Sequence, residues 1–121
     1  MLPRIPFTTR ILSNHLSDRQ HTHTLDWSAQ SESEIELFEV AMRKEGEENW
    51  KIHEVTVKDE SNETNANITI DSVNEYHGEL LLTDLEHGTS YEVTVASKNE
   101  FGLNTHGDLF TFRTKAAGMI F

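Results

Sequence analysis

Cysteine is absent from this 121-residue chain. That excludes a disulfide framework, thiolate catalysis and Cys-ligated zinc or iron–sulfur sites. The core must therefore hold by packing alone, which one domain of this length can do. Basic residues are scarce as well. Ten Lys and Arg stand against 21 Asp and Glu, giving a formal net charge of −11. Such a chain repels a phosphate backbone, so no nucleic-acid partner is expected, and an anionic membrane surface is disfavoured for the same reason. No apolar run is long enough to span a bilayer, so this segment does not insert directly into a membrane. The two prolines, Pro3 and Pro6, hold the start of the chain extended. The opening Met1-Leu2-Pro3-Arg4-Ile5-Pro6 lacks the apolar stretch of a signal peptide.

What is present is a globular composition, 36% hydrophobic and 26% charged, arranged with period two. Ile11-Leu12 reads as a short first strand. In Thr22 to Ser28, Leu25 and Trp27 share a face. In Ile35 to Arg43, Phe38, Val40 and Met42 alternate against Glu39, Ala41 and Arg43. The Glu, Ala and Met content of 35–45 also suits a helix, but the alternation and the nearby Gly46 favour a strand. Trp50 to Val57 alternates again. Lys58 to Asn67 is a polar surface loop, and Ile68-Thr69-Ile70 forms an optional edge strand. His77-Gly78 reads as a turn, followed by a strand from Glu79 to Leu85 with Leu80 and Leu82 inward.

A corner at Leu85-Glu86-His87-Gly88-Thr89-Ser90-Tyr91 then leads into the strand 89–98. Tyr91, Val93 and Val95 point to one face of that strand. A Tyr in this position can bury its ring and return its hydroxyl to the corner backbone. Asn99-Glu100-Phe101-Gly102 reads as a hairpin loop, and Asp108 to Thr114 as the last strand, with Phe110 and Phe112 on one face. The expected fold class is all-β: a seven-stranded antiparallel immunoglobulin-like sandwich.

Leu25-Asp26-Trp27-Ser28, Phe38-Glu39-Val40, the corner Leu85 to Tyr91 with its following Glu92-Val93-Thr94-Val95, and Asn99-Glu100-Phe101-Gly102 together resemble the fibronectin type III family. The resemblance covers roughly residues 8–114, which leaves 1–7 as an N-terminal extension or linker and 115–121 as a C-terminal tail. It implies fibronectin type III topology, with Trp27, Phe38, Leu85 and Tyr91 as structural core. His87 stands where the family usually carries Pro, and the stretch Lys58 to His77 is longer than the family norm. A WSxWS box and an Arg-Gly-Asp triplet are both absent. In its acidic, sequon-bearing character the chain is similar to modules of invertebrate neural adhesion molecules of the immunoglobulin superfamily.

Two sequons, Asn62-Glu63-Thr64 and Asn67-Ile68-Thr69, mark Asn62 and Asn67 as glycosylation candidates, because the transfer needs an accessible Asn with a hydroxyl two residues on. They point to the secretory route and an extracellular or cell-surface location within a larger membrane-anchored protein. His21 and His23 share a strand face, as zinc or copper ligands can, but no third ligand is placed and they read as polar surface histidines. Asp59-Glu60-Ser61-Asn62-Glu63 lacks calcium-loop spacing and reads as a solvated loop. No nucleophile elbow, phosphate-cradling Gly loop or His-Glu-x-x-His helix occurs, so neither catalysis nor a cofactor or metal is expected. Trp50 and Phe101 are candidate interface residues, weighed against packing across the sheet for Trp50 and under its own loop for Phe101. The expected function is a non-catalytic spacer and interaction unit, homophilic or heterophilic, that contacts other protein domains. The alternatives are an accessory module of a multidomain secreted or receptor enzyme and an intracellular scaffold module.

Overall fold

The computed structural model describes residues 9–31, 34–57, 66–72, 75–100, 102–103 and 109–117. These form β1 (Arg10–Ile11), β2 (His23–Gln30), β3 (Ile35–Lys44), β4 (Lys51–Thr56), β5 (Ala66–Ser72), β6 (Glu75–Leu82), β7 (Ser90–Asn99), β8 (Gly102–Leu103) and β9 (Phe110–Arg113), with no helix among the described residues. One sheet has the order β1-β2-β6-β5. The other runs β4-β3-β7-β8, with β9 also on β7. All the strand pairings are antiparallel. Because β8 and β9 both pair with β7, they are two segments of one last strand. Among the described residues the sandwich therefore has eight strands rather than the expected seven. The extra one is β5, which sequence patterning leaves optional.

The segment 35–44 is a strand, because period two puts Phe38, Val40 and Met42 into the core, and a register shift between Ile35 and Leu37 brings Ile35 to the same face, all four buried. A one-residue slip would reverse that set, so burial fixes the register with β7, where Val40 faces Val95. Trp27 has no exposed surface and meets Phe38 edge-on, with ring centroids 5.5 Å apart at 64°. Phe38 in turn meets Tyr76 edge-on at 6.3 Å. Val55 closes the β4 side of this core, and Leu80, Leu82 and Phe112 fill the rest.

His77-Gly78 is not a turn. Both residues lie within β6, and Gly78 pairs directly with Trp27. A Cβ on Gly78 would fall inside the indole of Trp27. The glycine is there to let the largest core side chain lie flat against the neighbouring strand, not to bend the backbone.

The corner between β6 and β7 is built as a tyrosine corner. Tyr91 is buried, and its hydroxyl accepts the backbone N–H of Glu86 at 2.7 Å. Asp84 and Gly88 take left-handed φ values of 59° and 56°, which an Asp tolerates and a Gly adopts freely. The Thr114 hydroxyl donates to Glu86 O at 2.6 Å and accepts from Thr89 N at 2.9 Å, tying the corner to the end of the chain's last strand.

Candidate functional site

Three regions of the sandwich surface carry chemistry that the core does not use. The first is the β4 edge. β4 ends its sheet and pairs only with β3 among the described residues. Its alternation turns Val55 inward and Ile52 outward, opposite Ala41, leaving Ile52 49% exposed. Trp50 stands just before β4 and is half-buried. The guanidinium of Arg43 lies over its ring, 4.3 Å from the centroid. Nε of the same guanidinium pairs with Glu92 Oε1 at 2.8 Å. Trp50 is therefore held in place across β3, through a cation–π contact of roughly 0.5–1 kcal/mol at such a site, while its remaining surface stays open. Phe101, the other candidate interface residue, and Asn62 lie outside the described residues.

The second region is the outer face of the other sheet. There Asp26, Glu79 and Asn67 form one cross-strand row, and Ser28, His77 and Thr69 the next. Asn67 and Thr69 are exposed and share this face, two residues apart on β5. They stand at a groove of about 390 Å³ that Asp26, Asp71, His77 and Glu79 also line. His77 Nδ1 and Asp71 form an ion pair across β5 and β6 when the imidazole is protonated. The groove is polar and acidic. Among the described residues no group of three or more His, Asp or Glu side chains is placed to hold a metal ion.

The third region is the segment between β1 and β2, which crosses the end of the sandwich beneath the corner. Its backbone is sewn to β9 and to the corner: Arg113 N donates to His15 O, Ser17 N to Arg113 O, and Leu85 N to His21 O, at 2.8, 2.9 and 3.0 Å. Histidines add to this. The His15 ring stacks on Phe110 at 4.6 Å, and its Nδ1 lies 2.8 Å from Thr111 O. His21 Nδ1 lies 2.8 Å from Leu85 O. His23 differs from the expected surface position. It is 6% exposed and stacks on Phe112 at 4.1 Å and 13°, with Tyr91 stacked on that same Phe112. Burial holds its pKa below the ordinary 6.5, opposed by the nearby carboxylate of Asp18. Period two explains the position, since residue 23 shares the inward face of Leu25 and Trp27. The stacking partner, Phe112, is remote in sequence, so local pattern offers no sign of it. His21 and His23 thus do not act as a pair: one bonds the corner, the other packs in the core.

Of the residues expected in the frame, Trp27 and Phe38 have no exposed surface, and Leu85 and Tyr91 are each 4% exposed. At the exposed end of the corner, Lys44 Nζ meets Glu86 at 2.8 Å. That contact raises the pKa of the amine and lowers that of the carboxyl.

Compared with protein-family profiles and with curated protein sequences, the chain finds no match. Solved structures do match. A structure described as a myokine superposes with a TM-score of 0.64 at 18% identity, over 92% of this chain and 99% of the other. The fourth FNIII domain of a human protein gives 0.61 at 15% identity, over 99% of this chain and 85% of that domain. Astrotactin-2, described as a perforin-like membrane protein involved in neuronal development, gives 0.66 at 14% identity. There the match covers 95% of this chain but only 22% of Astrotactin-2. At these identities the likeness establishes the fold alone, a fibronectin type III-like β-sandwich.

Proposed function

We propose that this chain is a non-catalytic extracellular module that acts as a spacer and protein-interaction unit in a cell-surface adhesion protein or receptor. The observation that carries the reading is the open β4 edge, with Ile52 exposed beside a Trp50 whose ring Arg43 holds in place. An unpaired edge offers backbone donors and acceptors to an incoming strand, and a pre-oriented aromatic supplies contact area at little entropic cost. Asn67, exposed on β5 with Thr69 on the same face, supports the secretory route. Astrotactin-2 is an instance of a membrane protein in which a segment of this fold makes up a small part of the whole. The acidic, sequon-bearing character fits a parent of the invertebrate neural adhesion type, with the chain docking against other protein domains and the rigid sandwich setting the spacing between its neighbours.

The test is a multivalent form of the chain screened against cell-surface ectodomains, its own included. Binding that Ile52→Glu or Trp50→Ala weakens at least tenfold, with each variant's unfolding midpoint within a few degrees of the parent's, supports the reading. Binding that both variants retain in full, or no binding to any ectodomain, overturns it. The rival reading, an accessory module of a secreted or receptor enzyme, predicts contact with a catalytic domain in the same polypeptide rather than with a separate ectodomain.

A further inference from the structure

The strand β5 is the weak point of the sandwich edge. It ends its sheet and pairs only with β6 among the described residues. Its sequence, Ala66-Asn67-Ile68-Thr69-Ile70-Asp71-Ser72, is rich in β-branched residues and contains neither Lys nor Pro. Those are the residues with which natural sheets most often blunt an open edge. Ala66 and Ile68 pack against the core, but Ile70 on the same face is 57% exposed. The pairing with β6 is regular from Ala66 to Ile70 and shifts register only before Ser72, so that regular stretch, with Ile70 exposed, is an edge on which a second copy of itself can pair. The strand nevertheless carries one bulky device of its own. Asn67 projects from the outer face with Thr69 beside it, at the rim of the polar groove that Asp26, His77 and Glu79 line.

We propose that Asn67 carries an N-linked glycan that guards the β5 edge against pairing with a second copy of this chain. This inference rests on the extracellular reading above. In the transfer, Asn67 Nδ2 attacks the anomeric carbon of an oligosaccharide carried on a polyprenyl pyrophosphate. The new N–C bond forms as the C–O bond to the pyrophosphate breaks. The lipid pyrophosphate leaves with the electron pair, and the amide nitrogen gives up one proton to a base. Before the chain folds, the Thr69 hydroxyl two residues on supplies the recognition element. After folding, strand alternation puts the modified amide on the solvent side of the sheet edge, with the groove leaving room for the first sugars. A branched glycan there sterically blocks a second β5 from approaching along the edge.

The test is secretion of the full chain behind a cleavable leader from a eukaryotic host, peptide mapping before and after glycosidase treatment, and sedimentation velocity over a concentration series. The expected result is a glycan on Asn67 and a monomer. Asn67→Gln and Thr69→Ala, each removing the sequon at a different exposed residue, should both self-associate. Ile70→Lys added to either should restore the monomer. An unmodified Asn67 overturns the inference. So does a Thr69→Ala chain that stays monomeric at every concentration, or self-association that Ile70→Lys leaves unchanged. A glycan on Asn62 with none on Asn67 overturns this inference and leaves the extracellular reading standing. Absence of both overturns the two together.

Discussion

Gly78→Ala is the smallest change that probes the core directly. The added methyl would fall within the indole of Trp27, which has no exposed surface and is hemmed in by Phe38. An indole so placed has little room to step aside, and overpacking of this kind costs about 1–3 kcal/mol. Against it stands the ordinary benefit of replacing Gly by Ala, about 0.4–1 kcal/mol through the unfolded chain. The clash wins, and a net loss of about 1 kcal/mol is expected, a measurable part of the ~5–15 kcal/mol that holds a domain together. The cause is isolated by a double-mutant cycle. In a Trp27→Leu background the ring is gone, so Gly78→Ala should be neutral or slightly stabilising, giving a coupling of ~1–2 kcal/mol between the two sites. Urea unfolding followed by circular dichroism reads all four corners of the cycle. If Gly78→Ala costs the same with and without Trp27, the indole does not lie over Gly78 and the packing described here is wrong.

Tyr91→Phe removes the acceptor of the Glu86 N–H and should cost about 0.5–1.5 kcal/mol in the same unfolding assay. An unchanged midpoint would mean that the corner hydrogen bond does not form. Trp27→Ala should cost ~3–5 kcal/mol, and a loss below about 1 kcal/mol would take Trp27 out of the core. His23 gives a pH dependence. The fold keeps it neutral by burial, whereas the unfolded chain takes up its proton near the ordinary 6.5. Its contribution is therefore fully present above that pH and is lost as pH falls from there through the lower folded-state value. Urea midpoints at pH 7.5 and pH 5 should fall further apart in the parent than in His23→Phe, and an equal drop in both would refute the role of His23. Arg43→Met should lower stability by about 1 kcal/mol and raise the mobility of the Trp50 ring, seen as a change in its fluorescence anisotropy.

How far the sequence could be read depends on the range of the interactions involved. The corner was legible because its parts lie within seven residues and its bond runs from Glu86 to Tyr91. The strands β2, β3 and β7 were legible because burial on one face imposes alternation. Gly78 misleads because a glycine that relieves a cross-strand clash looks, in sequence, like one that bends the chain. Its reason is Trp27, 51 positions away by number and adjacent only through the β2–β6 pairing. His23 misleads because an imidazole suits either water or an aromatic face, and Phe112 comes near it only through the fold. β5 is optional in the sequence because its alternating apolar set, Ala66, Ile68 and Ile70, is short, follows a long polar stretch and is only partly covered in the fold. The Arg43–Trp50 contact was also out of reach, since it depends on how the turn between β3 and β4 returns the chain.

The proposed function places the module outside the cell. The most direct measurement is labelling of the parent protein on intact, unpermeabilised cells with an antibody raised against this chain, combined with peptide mapping of the same protein for glycans. The account predicts surface labelling and a glycosidase-sensitive Asn67. Labelling only after permeabilisation, with Asn62 and Asn67 both unmodified, would contradict it.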